Sequence, residues 1–266
     1  MKIFLLGGTK DSINIIEHIK QNYDAFILTT TTTEYGAKLA IEGGSDDTIA
    51  RPLLKDEIIE IINDGDFDML IDATHPFAAH ITQTSASIAS ELEIPYVRFE
   101  RPTTNLDNID TSRIHYADSF DEAGKLIADE FDEGNVLHFA GANTMEDVMK
   151  HVPAKRFYPR ILKVEKSLEK CEKLAINPDH IIPMTGAATK QENIDLIEKY
   201  DASVMITKES GEIGGVIEKI QAANEKDIAI IMIRRPKIEM LNKDDIVNDL
   251  KELDSKIKSF FKNRYR

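Results

Sequence analysis

The sequence lacks several residue types and patterns that would place it in common functional classes. It has one cysteine, Cys171, so neither an internal disulfide nor a cysteine-based zinc cluster is possible. No apolar run reaches the ~20 residues of a membrane helix, and the start turns polar too early for a secretory signal peptide. Basic residues are scarce, since 33 Lys and Arg stand against 47 Asp and Glu for a net charge of −14. We therefore expect an acidic cytoplasmic protein that binds neither nucleic acid nor a membrane, because both would require a basic surface.

The 266-residue chain does contain an alternation of short apolar runs with amphipathic segments. Strands that alternate with helices favour βαβ units and parallel sheets, and here the alternation restarts after residue 130. The pattern predicts an α/β fold of two Rossmann-like lobes with mostly parallel sheets. We expect an N-terminal dinucleotide-binding lobe over 1–120 and a second lobe over 121–266. An amphipathic helix over 244–262 should end the chain and dock on one of the lobes.

Loops that follow strands are where ligands bind in open α/β sheets. Gly7-Gly8-Thr9 suits a phosphate at a helix N-terminus, but the third glycine of a full G-x-G-x-x-G fingerprint is missing, and a plain turn is the alternative. The threonines 29–33 form an edge strand, a hydroxyl-rich phosphate loop, or both. No acid precedes Glu34 after this second predicted strand, and no arginine is there either, so NADH and NADPH are not separated. His75 either takes part in the chemistry or caps the next helix.

Basic residues at strand ends stand out in so acidic a chain. Arg98 and Arg101 follow one apolar run and Arg234 another. Arginine binds carboxylates and phosphates in a bidentate fork, and pairing with nearby acids is the alternative. The segment Thr207-Lys208-Glu209-Ser210-Gly211 is similar to an anion-binding nest beside a lysine, with a glycine-rich turn as the alternative. The segment lacks the residue order of a Walker-type ATP site, and the histidines lack metal-ligand spacing, so no bound metal is expected.

Together these motifs resemble the precorrin-6A reductase family of cobalamin biosynthesis, over nearly the whole chain. The matching segments are LLGGT at 5–9, DATHPFA at 72–78, RFERP at 98–102, GAN at 141–143, TKESG at 207–211, KIxAA at 219–223 and RRP at 234–236. The chain departs from the family at Asp11, where many members have Glu, and at Glu209, where many have Asn or Asp. It also has Gly-Ala-Ala at 186–188 where many have Gly-Pro-Phe, which removes an aromatic ring from a loop near the expected site.

The resemblance implies hydride transfer from NADPH or NADH to a double bond of precorrin-6A, or of its cobalt form, to give precorrin-6B. The macrocycle carries acetate and propionate groups, so positive side chains should concentrate where it binds. The implied site consists of catalytic His75 and Lys208; cofactor-binding Gly7, Gly8, Thr9, Asp11, Thr30 and Thr74; and substrate-binding Arg98, Arg101, Asn143, Ser210, Gly211 and Arg234.

Two other functional classes stay open on the residues alone. A two-lobed nucleotide-sugar transferase would share the glycine turns and the basic strand ends. A non-enzymatic protein that binds an anionic small molecule would share them too. The oligomeric state is not predicted.

Overall fold

The computed structural model describes residues 1–262 and consists of two compact units. Unit 1 combines Met1–Pro102 with the segment from Pro236 onward, and unit 2 is Thr103–Arg235. Both units are mixed α/β structures with parallel sheets, so the predicted fold class is confirmed. Within the described residues, no helix is both long and apolar enough to cross a membrane.

Twelve strands and ten α-helices are present in the described part of the chain. The strands are β1 (Lys2–Leu6), β2 (Phe26–Thr31), β3 (Asp47–Ala50), β4 (Met69–Asp72), β5 (Tyr96–Phe99), β6 (Ile114–Ala117), β7 (Asn135–His138), β8 (Phe157–Ile161), β9 (Ile182–Pro183), β10 (Ala202–Lys208), β11 (Ala229–Ile233) and β12 (Ile246–Val247). The helices are α1 (Lys10–Asn22), α2 (Glu34–Glu42), α3 (Lys55–Gly65), α4 (Ala79–Glu91), α5 (Phe120–Glu130), α6 (Met145–Met149), α7 (Glu165–Lys173), α8 (Lys190–Lys199), α9 (Val216–Glu225) and α10 (Leu250–Lys262).

The sheet of unit 1 has the strand order β3-β2-β1-β4-β5-β12, with parallel pairing throughout. This is the order of a dinucleotide-binding Rossmann fold, with β12 in the sixth position. Strands β2 and β3 are added on one side of β1, and strands β4 and β5 are added on its other side. The switch point of the sheet therefore lies between β1 and β4, and the loops after these strands face the same edge.

Apolar strands covered on both faces hold unit 1 together. Along β1 the side chains alternate, so that Ile3 and Leu5 pack in one buried cluster, and Phe4 and Leu6 pack in the other. One cluster contains residues of α1 and α10, and the opposite one contains residues of α3 and α4. This explains why β1 is apolar at nearly every position, as expected for a strand inside a parallel sheet.

The sheet of unit 2 has the order β6-β11-β10-β7-β8-β9, again with parallel pairing throughout. Its switch point lies between β7 and β10. The two units therefore each place a pair of neighbouring strand ends where a ligand is expected to bind.

The observed division of the chain differs from the predicted boundary at residue 120. β6 follows β5 in the sequence but pairs with β11 in unit 2, while β12 from the C-terminal segment pairs with β5. The predicted C-terminal helix is present as α10, but Leu253 and Ile257 are buried in a core cluster of unit 1. The last part of the predicted second lobe, residues 263–266, lies outside the described residues.

We predict that Leu253→Ala destabilises the protein by about 2–5 kcal/mol, because it removes a fully buried side chain between α10 and the sheet of unit 1. Urea unfolding followed by circular dichroism measures the change. Lys251→Ala, at an exposed position of the same helix, should change the free energy of unfolding by no more than about 0.5 kcal/mol. Equal effects of the two substitutions would contradict the described packing of α10.

Candidate functional site

A cavity of about 330 Å³ opens at the switch point of unit 1. Its walls come from the loops that follow four neighbouring strands. They are Gly7–Thr9 after β1, Thr30–Thr32 at the end of β2, Arg51–Leu53 after β3 and Thr74–His75 after β4. The structure thus brings together five of the six residues predicted to bind a cofactor, and it adds the predicted catalytic histidine.

The β1–α1 turn in this cavity is built for close approach of a ligand. A Cβ atom at position 7 would lie 2.9 Å from the Thr29 side chain, and Gly8 has φ +94°, which L side chains rarely adopt. Thr9 caps α1 by accepting a hydrogen bond from the Ser12 backbone, and its hydroxyl donates to the Ala73 carbonyl at 2.8 Å. A side-chain-free turn before a helix N-terminus fits the pyrophosphate of a dinucleotide.

A buried network fixes the loop after β4. Asp72 Oδ1 accepts hydrogen bonds from the Thr74 backbone at 2.9 Å, the Thr74 hydroxyl at 2.7 Å and Arg98 Nη1 at 2.8 Å. Arg98 Nη1 also donates to the Thr74 hydroxyl at 3.0 Å. Tyr96 donates to the other carboxylate oxygen at 3.2 Å, and burial together with the Asp72 charge raises the pKa of Tyr96. The network holds Thr74 in place at the cavity wall.

Two of the arginines predicted to bind substrate have acidic partners inside unit 1. Arg98 and Asp72 have no exposed side-chain surface, so the Arg98 guanidinium faces the interior. Arg101 Nε lies 3.3 Å from a carboxylate oxygen of Asp11, and both side chains are 12% exposed. Asp11, predicted to bind the cofactor, is not among the residues of the cavity wall. The structure therefore describes ion pairs at both positions, with Asp72 and Asp11 as partners, which are distant from these arginines in the sequence.

His75 lies in the cavity wall, and it does not cap α4, whose N-cap residue is Ala78. Its Nδ1 accepts a hydrogen bond from the Phe77 backbone at 3.2 Å, which orders the loop. The neutral ring then has its proton on Nε2, and the residue lines the cavity. A histidine with this tautomer can donate a hydrogen bond through Nε2.

Lys208 lies at the carboxyl end of β10, next to the switch point of unit 2. Burial lowers the pKa of Lys208 to about 8, and its Nζ lies 5.6 Å from the centre of the Phe120 ring. Ser210 and Gly211 lie two and three residues further along the chain, and both are buried. An ammonium group with a pKa this close to neutrality can hold an anion or exchange a proton.

Two further cations near Lys208 were not predicted. Lys219, on α9, is 3% exposed and donates to the Gly214 carbonyl at 2.8 Å. Burial and the charges of Arg160 and Lys208 lower the pKa of Lys219 to about 7, although the negative charge of Glu218 acts to raise it. Burial also lowers the pKa of Arg160, whose guanidinium lies 4.8 Å from the centre of the Phe139 ring. The carboxyl edge of this sheet therefore concentrates positive charge.

The sequence contains a signal for one of these two cations. Arg160 is the second-to-last residue of β8, as Arg98 is of β5. Lys219 belongs to the KIxAA segment, but a lysine in a helix gives no indication that it turns back to a glycine loop.

Glu209, one of the departures from the family pattern, has a local structural role. Its Oε1 accepts hydrogen bonds from the backbone and hydroxyl of Thr104, at 2.8 and 3.0 Å, and from the backbone of Gly211 at 3.2 Å. Its other oxygen pairs with Arg235. This carboxylate therefore connects the Ser210-Gly211 loop to Thr104 and Arg235, which lie near the first and last residues of unit 2.

The remaining predicted residues lie at other strand ends of unit 2. Asn143 follows β7, and its side chain accepts a hydrogen bond from Lys170. Arg234 follows β11, is 53% exposed, pairs with Asp118 at 2.9 Å and stacks on the Tyr116 ring at 4.7 Å. Among the described residues, no group of three or more His, Cys, Asp or Glu side chains is arranged to hold a metal ion.

Comparison with known proteins identifies the family. The sequence model described as "Precorrin-6x reductase CbiJ/CobK" matches residues 2–258. The chain belongs to this precorrin-6x reductase family. The family resemblance stated from the motifs is thereby confirmed.

Similar proteins cover most of the chain. The cobalt-precorrin-6A reductase of Methanothermobacter thermautotrophicus is 37% identical over 241 residues, which are 90% of this chain and 78% of that protein. The cobalt-precorrin-6A reductase of Methanocaldococcus jannaschii is 38% identical over 240 residues, 90% of this chain and 92% of that protein. Among solved structures, "CobK precorrin-6A reductase" matches with a TM-score of 0.75 at 16% identity, covering 98% of this chain and 97% of that one. This structural match supports the fold.

We predict that Arg98→Met lowers the free energy of unfolding by about 3–5 kcal/mol, because it leaves the buried Asp72 carboxylate without its cation. Urea unfolding measures the loss. As a control, Arg113→Met breaks an ion pair with the exposed Asp227 and should cost at most about 1 kcal/mol. Similar losses in the two variants would contradict a special role of the buried pair.

Proposed function

We propose that this protein reduces precorrin-6A or cobalt-precorrin-6A with a nicotinamide dinucleotide. The observation that supports this most directly is the Gly7-Gly8-Thr9 turn at the switch point of a Rossmann-ordered sheet. Membership of the precorrin-6x reductase family indicates the reaction. The curated relatives named above suggest the cobalt form as the substrate.

The residues of the unit 1 cavity fit a dinucleotide. The glycine turn would receive the pyrophosphate, and the threonine hydroxyls after β2 would face the adenosine ribose. Thr74 and His75 would lie on the nicotinamide side, after β4. The reduced cofactor supplies the hydride, and the protein provides position and electrostatics.

The cations of unit 2 fit the carboxylates of the macrocycle. Lys208, Arg160 and Lys219 lie at one edge of a sheet in a protein of net charge −14, so this edge attracts an anion that the rest of the surface repels. Ser210 and Gly211, held by Glu209, would add hydrogen-bond donors beside Lys208. We assign substrate binding to this group, with Asn143 and Arg234 at the neighbouring strand ends.

Reduction of one carbon–carbon double bond requires one hydride and one proton. We propose that the proton comes from a water molecule oriented by the Nε2–H of His75, because Nδ1 accepts a hydrogen bond from Phe77 and the neutral ring is too weak an acid to give up its own proton. The hydroxide that forms exchanges with solvent. Lys208 would stabilise negative charge that develops in the conjugated ring when the hydride arrives. Arg98 acts through Thr74 as a positioning residue.

The function is tested by following loss of nicotinamide absorbance under anaerobic conditions. Precorrin-6A and cobalt-precorrin-6A are offered separately, each with NADH and with NADPH. Turnover supports the proposal and identifies the substrate form. Tight binding of the macrocycle without turnover would instead favour a non-enzymatic binding protein. If the protein neither reduces nor binds the macrocycle but does bind a sugar nucleotide, the result would favour a transferase.

We predict that Gly8→Val weakens binding of the reduced cofactor at least about tenfold, the effect of losing one charge-assisted hydrogen bond to a phosphate. The strained φ of +94° would force the turn to change. The chain has no tryptophan, so the fluorescence of the reduced nicotinamide is a clean readout of binding. Gly44→Val, at a second positive-φ glycine outside the cavity wall, is the matched control and should leave the affinity unchanged. Unchanged affinity of the Gly8 variant would remove the phosphate site from this turn.

We predict that macrocycle binding in the absence of cofactor weakens as the pH rises through about 7 to about 8. The pKa of Lys219 is lowered to about 7 and that of Lys208 to about 8, so each is cationic below that value and loses its charge above it. Visible difference spectra give the dissociation constant at each pH. Lys208→Arg retains its charge, so it should keep more of its affinity at alkaline pH than the wild type. Affinity that stays constant or rises with pH would contradict the assignment.

A further inference from the structure

A buried histidine, distinct from the residues assigned to catalysis and substrate binding, lies at the switch point of the unit 2 sheet. His138 is the last residue of β7, the strand that pairs with β10. It has no exposed surface, and its ring centre lies 5.1 Å from that of Phe157 and 6.2 Å from that of Phe120. A phenylalanine would fill this place without burying polar atoms, so the histidine calls for a physical reason.

One ring nitrogen of His138 holds the loop that follows β7, residues 140–144. Nε2 lies 2.9 Å from the Thr144 hydroxyl and 3.3 Å from the Gly141 carbonyl oxygen. The Thr144 hydroxyl donates to the same carbonyl at 2.9 Å. Nε2 therefore carries the ring proton and donates it to the Thr144 oxygen, so that the ring, the hydroxyl and the carbonyl form one connected group.

The other ring nitrogen of His138, Nδ1, is buried and has no hydrogen-bond partner among the described residues. Burial lowers the pKa of His138 to about 3, while the hydrogen bond to Gly141 acts to raise it and the charge of Lys208 acts to lower it. The ring is therefore neutral near pH 7, and Nδ1 is a bare acceptor. A buried acceptor without a partner costs free energy, so the contacts of Nε2, and not added stability, explain the histidine.

The loop after β7 needs support because its own backbone provides little. Gly141 has φ +85°, which L side chains rarely adopt, and no atom lies within 4 Å of the position that its Cβ would take. The glycine is therefore required by the backbone conformation and not by lack of space. The backbone hydrogen bond across the turn, from Thr144 to the Gly141 carbonyl, is long at 3.4 Å. The Thr144 hydroxyl, held by His138, provides the shorter contact.

The supported loop presents Asn143 at the carboxyl edge of the sheet. Asn143 is exposed, and it lies between Gly141 and Thr144 in the chain. Its Oδ1 accepts a hydrogen bond from Lys170 of α7, so the orientation of the amide is set and its NH2 group can donate to a ligand. An amide donor with a lysine beside it suits a carboxylate, which only accepts hydrogen bonds.

We propose that His138 is a positioning residue for substrate binding, which acts through Thr144 and the Gly141 carbonyl to hold Asn143 where its amide binds a carboxylate of the macrocycle. His138 does not touch the ligand, because it is fully buried. This inference rests on the proposed function, since it concerns the substrate edge of unit 2. It gives a role to a histidine that the family motifs found in the sequence do not include.

The test is the steady-state kinetics of the full chain with the macrocycle form that the wild type reduces, at saturating reduced cofactor. His138→Phe keeps a ring beside Phe157 and Phe120 but removes the donor. We expect KM for the macrocycle to rise at least about tenfold, the effect of losing one hydrogen bond to a charged group, while kcat falls less than about threefold. The dissociation constant of the reduced cofactor, measured by nicotinamide fluorescence, should not change.

Two further variants show whether His138 acts through the loop. Thr144→Val removes the hydroxyl that connects the ring to Gly141 and keeps the shape of the side chain, so it should raise KM in the same way. In an Asn143→Ala background, where KM is already raised, His138→Phe should raise it by less than about a further twofold. Residues that act through one group are not additive.

His180→Phe is the matched control. His180 is another histidine of unit 2 whose buried Nδ1 has no hydrogen-bond partner among the described residues, and its ring stacks on that of Tyr158 at 4.1 Å. It precedes β9 and therefore lies away from the carboxyl edge of the sheet. Its replacement should leave KM and kcat unchanged. Urea unfolding confirms that each variant is folded in the assay, and Thr144→Val carries the test if His138→Phe does not fold.

Each other outcome overturns the assignment. An unchanged KM in the folded variants, whatever happens to kcat, or a full additional rise in the Asn143→Ala background would show that His138 does not act through Asn143. The reductase function would stand in both cases, because the wild type turns over. If the wild type neither binds nor reduces the macrocycle, the inference fails together with the proposed function.

Discussion

The buried ion pair between Asp72 and Arg98 determines how the carboxyl edge of unit 1 is arranged. It joins the last residue of β4 to β5, and Arg98 is also the residue that stands opposite Ile246 of β12. Burying two charges is costly, and well-packed apolar side chains would often be as stable, so added stability does not explain the pair. What the pair does provide is position, because the same carboxylate and guanidinium hold Thr74 at the wall of the cavity.

The two units provide two kinds of chemistry on similar sheets. The edge of unit 1 has glycines and hydroxyls, which let a phosphate approach the backbone closely. The edge of unit 2 has Arg160, Lys208 and Lys219. Burial lowers the pKa of both lysines, and the charges of Arg160 and Lys208 lower that of Lys219 further. A bound carboxylate would reduce the electrostatic repulsion between these cations. Binding of an anionic ligand would therefore stabilise this edge of unit 2.

The sequence predicted the parts of this arrangement that are local. Apolar runs predicted most strands, and strand-end loops predicted Gly7–Thr9 and Thr74–His75, because both signals depend on neighbouring residues. β3 was missed, since a short, partly exposed strand such as Asp47–Ala50 has no apolar run. Arg51 was missed with it. The two-residue strand β12 gives no pattern at all, so the return of the C-terminal segment to the sheet of unit 1 was not predicted.

Other differences arise from burial and from distant partners. Arg98 and Arg234 have the same sequence context, yet the first is fully buried and the second is half exposed. The pairing of Asp11 with Arg101 joins residues that are distant in the chain, and Lys219 turns back to a glycine loop. No local pattern contains this information, because it is set by which strands become neighbours in the folded sheet.

The central claim is that the β1–α1 turn and its neighbouring loops in unit 1 bind the nicotinamide dinucleotide. The most direct measurement is a ¹⁵N-resolved NMR titration of the assigned protein with the reduced cofactor alone. We expect the amide signals of Gly7, Gly8, Thr9, Thr32 and Thr74 to shift in a saturable manner, while those of Ser210, Gly211 and Gly214 stay in place. Shifts confined to the glycine loop of unit 2, with the β1–α1 turn unaffected, would contradict it.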